Sequence, residues 1–205
     1  MKQNRIRVIG ITGGIATGKS TVSNIIREEG FLVIDSDSIA RDHVQRGSKG
    51  LKLVIEEFGE DLLMDDGSLD REKLGELIFR NEEKRRILND LLHPLIRKSI
   101  ASGIEKASDH HQVVFVDIPL LFESRDEIED SGIILDEVWV VYTDDSTQLS
   151  RLMKRNGYSH DEALSRIRAQ LAMEEKMRLA DETIDNSGSV EDTRKQVLDL
   201  LDKYR

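Results

Sequence analysis

Four stretches of the chain are short, predominantly apolar and largely β-branched runs. They are Ile6 with Val8, Ile9 and Ile11; Phe31-Leu32-Val33-Ile34; Val113-Val114-Phe115-Val116; and Val138-Trp139-Val140-Val141-Tyr142. Strands covered on both faces of a parallel sheet read this way, because neither face is left to polar residues. Thr183-Ile184-Asp185 is a shorter fifth candidate. Elsewhere apolar positions recur every three or four residues, the spacing of one helical face. Val22, Ile25 and Ile26 do so over residues 21–27, and Gly30 marks the stop. Across residues 38–108 no run reads as a strand. Leu51, Val54, Ile55 and Phe58 share a face closed by Gly59, and Asp65-Asp66-Gly67-Ser68 reads as a turn. Asp70 is placed to cap a helix bearing Leu74, Leu77 and Ile78. Asn81 opens another with Ile87, Leu88, Leu91 and Leu92, which Pro94 is expected to break before residues 95–107 resume it.

A strongly charged helical block fills residues 145–180, with Ser159 and Glu162 as a capping-box pair. Ser189 and Asp192 open a terminal helix whose Val190, Val197, Leu200, Leu201 and Tyr204 are expected to face inward. Strands alternating with helices predict an α/β fold with a doubly wound, five-stranded parallel sheet, interrupted by a long helical segment. Ligands of such sheets gather beyond the carboxyl ends of the strands.

The junction of the first strand and first helix is Gly13-Gly14-Ile15-Ala16-Thr17-Gly18-Lys19-Ser20, followed by Thr21. It matches G-x-x-x-x-G-K-[ST], the P-loop pattern, in the strand–loop–helix context that the motif requires. The loop aims the backbone N–H groups of residues 14–21 and a positive helix end at an anionic phosphate. Lys19 reaches toward the β- and γ-phosphates, and the Ser20 hydroxyl is suited to Mg²⁺. A nucleoside triphosphate is the expected ligand, and the fold expectation sharpens to the P-loop NTPase type.

Composition narrows the classes. At 205 residues, one domain with insertions is expected. Charged residues make up 34% and the formal charge is −10, which argues against general nucleic-acid binding. A triphosphate must then be met by local donors and Mg²⁺ against an unfavourable global charge. No cysteine is present, so disulfides and thiolate chemistry are excluded. Met1-Lys2-Gln3-Asn4-Arg5 leads straight into the first strand without a signal-peptide core, and no apolar run reaches membrane-spanning length. A cytoplasmic protein without membrane contact is expected.

Several polar residues stand where the sheet would expose them to a ligand. Asp35 and Asp37 follow the second strand; if extended, both face one side, where one serves as general base or both merely cap a turn. Asp117 ends the third strand, as an Mg²⁺-associated carboxylate or as an ordinary turn residue before Pro119. Arg151 and Arg155 share a helix face and suit a migrating phosphoryl group, although charged helices of this kind, with Lys154, Arg166, Arg168, Lys176 and Arg178, are usually solvated. His93 precedes Pro94, where a bonded structural histidine is the simpler reading, and Trp139 reads as core.

The motifs together resemble the dephospho-CoA kinase family. The resemblance runs in order through Thr12 to Thr21, Asp35-Ser36-Asp37 with Ile39-Ala40-Arg41, and Leu92-His93-Pro94. It continues through Asp117-Ile118-Pro119-Leu120-Leu121-Phe122-Glu123, Arg151 with Arg155, Arg166 with Gln170, Ala180-Asp181, and Ile184-Asp185-Asn186-Ser187-Gly188. It implies ATP-dependent phosphorylation of the 3′-hydroxyl of dephospho-CoA, with ATP and Mg²⁺ as the small-molecule requirements. It implies Asp37 as the base, Lys19 and Arg155 on the migrating phosphoryl, Arg151 on ATP, Asn186 beside the adenine, and Arg41 and His93 on the CoA side. It also implies a core of about residues 1–37, 112–144 and 181–205, a CoA-binding helical insertion over about 38–111, and a lid over about 145–180. A monomer or weak homo-oligomer is expected. A shikimate- or nucleoside-type kinase is the nearest rival. A GTP-dependent switch is another, against which the chain carries no [NT]-K-x-D motif.

Overall fold

The computed structural model describes residues 5–79 and 81–205, with Phe79 described by its backbone alone. The reading of Met1 to Asn4 lies outside the described residues. Contacts divide the chain into two units, one made of the chain up to Asp35 together with Gly103–Arg205, the other of Ser36–Ser102.

In the first unit, β1 (Arg7–Gly13), β2 (Leu32–Asp35), β3 (Val113–Asp117), β4 (Glu137–Tyr142) and β5 (Glu182–Asp185) form one sheet in the order β2-β3-β1-β4-β5. Every pairing is parallel, as expected from the mainly apolar runs. Ile9, Ile11, Phe115, Trp139, Val141 and Ile184 line one face. They pack on Val22, Ile25 and Ile26 of α1 (Lys19–Glu28) and on Val197 and Leu201 of α10 (Val190–Leu201). Alternate residues Val8, Val114, Val116 and Val140 are equally buried on the other face. Trp139 is fully buried and meets Phe115 edge-on at 5.1 Å between ring centres. Val190 departs from expectation and is exposed. The apolar part of α10 begins at Val197, and the turn before it is given to a buried hydrogen bond from Thr193 to Asn186.

The second unit is helical, with α2 (Ser36–His43), α3 (Lys49–Phe58), α4 (Arg71–Phe79) and the first part of α5 (Glu82–Ala107). Its core is Leu51, Val54, Leu62, Leu69, Leu74 and Leu88. Asp70 Oδ1 caps α4 by accepting from Lys73 N at 3.0 Å, and Asn81 caps α5 through Lys84 N at 3.0 Å. Contrary to the sequence expectation, Pro94 does not break α5, which continues for 26 residues. A helix-interior proline costs one backbone bond and crowds the carbonyl four residues back. Tertiary packing outweighs that cost here, because Leu88 lies in the core of the unit, Leu92 packs against it, and Ile100 and Ala107 are buried further on.

The remaining helices of the first unit are α6 (Arg125–Asp130), α7 (Asp145–Asn156), α8 (His160–Arg168) and α9 (Met173–Leu179). The Ser159–Glu162 capping box is present at the start of α8.

Candidate active site

β1 delivers the chain into the glycine loop at the carboxyl edge of the sheet. A side chain at Gly13 would meet the Val141 carbonyl of β4, so the loop leaves the sheet in close backbone contact. Gly18 takes φ 87°, a left-handed conformation that turns the chain into α1. Ala16 also lies in the left-handed region at φ 62°, and no other described non-glycine residue does so. The loop is closed on itself by Thr17, whose N–H and Oγ1 both donate to Gly14 O, at 3.3 and 2.9 Å. The first turn of α1, Lys19-Ser20-Thr21, has no acidic residue, and no side chain caps its N-terminus. Its amides therefore keep their positive potential for an anion.

Lys19, Asp117 and Arg151 stand close to the turn from the loop into α1. Lys19 forms an ion pair with Asp117, whose second oxygen accepts from the Ser23 hydroxyl at 2.6 Å. Asp117 is 3% exposed, so its charge is fully engaged by its neighbours. Arg151, on α7, carries a buried Nη1 with no hydrogen-bond partner among the described residues. That atom lies 3.7 Å from where a Cβ on Gly18 would sit. A buried guanidinium nitrogen without an acceptor is costly, and its position beside the loop suits an anionic oxygen. Arg155, one turn on, is exposed, and its Nε donates to Asn156 at 2.8 Å. The shared helix face thus has an inner and an outer arginine. Ser20 is exposed at the mouth of the loop.

Asn186 is 4% exposed and its carboxamide ties two segments together. Nδ2 donates to Thr17 O at 2.7 Å and Oδ1 accepts from Thr193. Asp144 caps α7 by accepting from Thr147 N at 2.9 Å. Hydrogen bonds from the Ser146 and Thr147 hydroxyls, then from the Thr147 backbone, hold its carboxyl well below the usual range. Burial first, then the neighbouring Asp185 carboxylate, pushes the Tyr142 phenol up.

Asp37, Arg41 and His93 belong to the second unit. The structure corrects the premise about the aspartate pair. β2 ends at Asp35 and α2 begins at Ser36, so Asp37 lies in the first turn of a helix and strand alternation does not apply. An acidic residue is favoured there by the helix N-terminus. Asp35, on the first unit, is in ion-pair range of Arg27 at 3.5 Å. Arg41 is exposed on α2 and its carbonyl accepts from Arg71 at 3.4 Å; His93 is half-buried on α5.

Two further residues bond the loop directly and two more pin the segment after α8, roles that no local sequence pattern marks. Gln148, 4% exposed on α7, donates to Ile15 O, and Gln170 Oε1 accepts from Ile15 N, both at 2.8 Å. Lys176, fully buried on α9, donates to Glu123 at 2.6 Å, and the same Glu123 oxygen accepts from Leu171 N at 3.1 Å. Only burial distinguishes Lys176 from the solvated cations of its block. Its partner is 53 residues away.

Among the described residues no helix is long and apolar enough to cross a membrane. The dephospho-CoA kinase family model matches residues 7–192. A dephospho-CoA kinase of Carboxydothermus hydrogenoformans is 50% identical over 199 residues, covering 97% of this chain and 94% of the relative. The solved dephospho-CoA kinase of Campylobacter jejuni superposes with a TM-score of 0.68 at 30% identity, covering 98% of each chain. A shikimate kinase of Bacteroides thetaiotaomicron, at 15% identity and a TM-score of 0.53 over 96% of this chain and 97% of its own, shares the fold alone. With the glycine loop, the Lys19–Asp117 pair and the inward Arg151 set on a five-stranded parallel sheet, the chain belongs to the dephospho-CoA kinase family.

Proposed function

We propose that this chain transfers the γ-phosphoryl group of ATP to the ribose 3′-hydroxyl of dephospho-CoA, giving ADP and coenzyme A. The observation that carries the nucleotide half is the buried, unpartnered Arg151 Nη1 beside a helix N-terminus free of acidic residues. The acceptor half is supported by family membership.

In this reading residues 14–21 form the cradle for the phosphate tail; the N–H groups of Ile15, Thr17 and Thr21 are held by Gln170, Gly14 O and Gly18 O, and the amides of Ala16, Gly18, Lys19 and Ser20 are offered to the ligand. Arg151 supplies a charged donor to it, and Lys19 exchanges part of its pairing with Asp117 for the β- and γ-oxygens. Asn186 holds the loop at Thr17 and would lie beside the adenine. Asp37 accepts the proton of the 3′-hydroxyl as that oxygen bonds to the γ-phosphorus. The bond from phosphorus to the β–γ bridging oxygen breaks, and ADP departs. Arg41 and His93 hold the CoA side. Residues 145–180 act as a lid that brings the exposed Arg155 onto the migrating group and excludes water.

The donor set suits Mg²⁺ held mainly by the triphosphate. Ser20 offers an exposed hydroxyl and Asp117 a nearby carboxylate, while no cluster of three acidic or imidazole ligands occurs among the described residues. When bound, the ion neutralises charge on the β- and γ-oxygens. The setting is the cytoplasm, with the protein as a monomer or weak homo-oligomer.

The test is mass spectrometry of dephospho-CoA after incubation with ATP, Mg²⁺ and the purified protein. One added phosphate on the nucleotide is expected. Unchanged dephospho-CoA, with a shikimate or nucleoside acceptor phosphorylated instead, overturns the reading.

A further inference from the structure

Ala16 is the one described non-glycine residue in left-handed backbone, in the middle of the phosphate-binding loop. An L-residue stays there only where its surroundings over-determine the conformation. Three side-chain carboxamides and one backbone bond do so. Gln148 Nε2 donates to Ile15 O, fixing the peptide that enters Ala16, and Thr17 N donates to Gly14 O, fixing the peptide that leaves it. Gln170 Oε1 holds the Ile15 N–H, and Asn186 Nδ2 holds Thr17 O. The three carboxamides come from separate places: α7, the segment after α8, and the turn after β5.

The choice of group has a physical reason. A carboxamide presents a donor and an acceptor without net charge. A carboxylate in the same place would repel a polyanion in the loop, and an ammonium would be drawn onto the phosphate and release the peptide. Neutral amides fix the backbone and leave the field to Lys19, Arg151 and the helix N-terminus.

Gln170 is the member of the set on the return segment between α8 and α9. That segment is itself pinned, because Leu171 N donates to Glu123 and the fully buried Lys176 donates to the same oxygen. The position of the segment and the shape of the phosphate cradle are therefore linked through one hydrogen bond.

We propose that Gln170 is a positioning residue for phosphoryl transfer, holding the Ile15 peptide so that the cradle presents its amides to the triphosphate. The proposal rests on the reading of the loop as an ATP site. Its test uses the affinity of the purified full chain for a non-hydrolysable ATP analogue by calorimetry, kcat and KM for both substrates, and thermal unfolding without nucleotide.

Gln170→Leu, which keeps the bulk and removes the acceptor, is expected to weaken analogue binding about two- to tenfold, the range of one net hydrogen bond. It should also lower kcat, while KM for dephospho-CoA and the unfolding temperature stay near the parent values. Gln170→Glu keeps an acceptor oxygen at the same reach but adds charge. It is expected to weaken binding by more than Gln170→Leu, and rising ionic strength should relieve part of that extra loss. Parental affinity and kcat in Gln170→Leu overturn the proposal, as does a lower unfolding temperature with analogue affinity unchanged. A parent protein that does not bind the analogue would instead remove the ATP-site reading itself.

Discussion

The buried ion pair between Glu123 and Lys176 makes an asymmetric prediction. The Lys176 side chain is 0% exposed, whereas that of Glu123 is 24% exposed. Glu123→Ala leaves an ammonium in the interior with its counter-charge gone, which costs about 3–5 kcal/mol. Lys176→Met removes the buried charge and fills similar space. The carboxylate left behind reaches water and keeps its bond from Leu171 N, so a cost of about 1–2 kcal/mol is expected. A domain has about 5–15 kcal/mol in total, so the first change takes a large share and the second a small one. At about 2–4 °C per kcal/mol for a chain of this size, Glu123→Ala should lower the unfolding midpoint by roughly 6–20 °C. The double variant Glu123→Leu/Lys176→Met should recover most of that loss, because no uncompensated charge remains. The assay is built in. The single tryptophan, Trp139, lies in the core of the same unit as the pair, so its fluorescence in a urea titration follows that unit. A Glu123→Ala cost below about 1 kcal/mol, or a larger cost for Lys176→Met than for Glu123→Ala, would show that the lysine is hydrated and that the burial argument fails.

Other changes separate the roles proposed above. Asp37→Asn should keep ATP-analogue affinity within a few fold while lowering turnover about 10²–10⁴-fold; calorimetry with steady-state kinetics checks this, and near-parental turnover removes Asp37 as the base. Arg151→Met should weaken ATP binding, because its inner nitrogen faces the loop, whereas Arg155→Ala should lower kcat with little change in ATP affinity; equal effects on both constants would contradict the inner and outer assignment. Acid unfolding should also show the helix caps. Hydrogen bonds from Ser146 and Thr147 hold Asp144 below the usual carboxylate range, and bonds from Ser189 do the same for Asp192. A lowered folded-state pKa contributes stability that is complete above the unfolded value near pH 4 and is lost as pH falls below it. Asp144→Asn and Asp192→Asn keep a capping oxygen without the titration, so the fall in midpoint below pH 4 should be shallower in both.

The sheet was legible because its strands are short apolar runs bounded by turn residues, and each of the five formed where its run stands. The glycine loop was legible for a different reason, since its residue types are fixed by backbone geometry at Gly13 and Gly18. What the sequence hid depended on partners distant in the chain. Pro94 reads as a breaker by local rules, and only the apolar packing along α5 shows why the helix continues. Asp37 reads as strand-end because alternation is a local rule, and the start of α2 one residue earlier changes its geometry. The six-residue α6 is too short to establish a helical period. Lys176 is one cation among many in a charged block, and Gln148 and Gln170 have no local pattern that would mark them as clamps on a peptide more than a hundred residues away.

The formal charge of −10 raises the question of how this chain attracts an anion, and the local arrangement answers it. Surface carboxylates farther than about 8 Å are screened at physiological salt, so the groups lining the loop decide. There the Lys19 charge is balanced by Asp117, which leaves that pair close to neutral. Two positive elements beside the loop are then open to an anion: the Arg151 guanidinium nitrogen, which has no hydrogen-bond partner among the described residues, and the uncapped start of α1. Both meet at Gly18. The attraction is therefore short-ranged and directional. Salt should weaken triphosphate binding far less than it weakens binding to a diffuse basic surface, where each phosphate contact adds to the slope. A steep loss of ATP-analogue affinity between about 50 and 200 mM salt would mean that distant charges carry the attraction and that Arg151 does not.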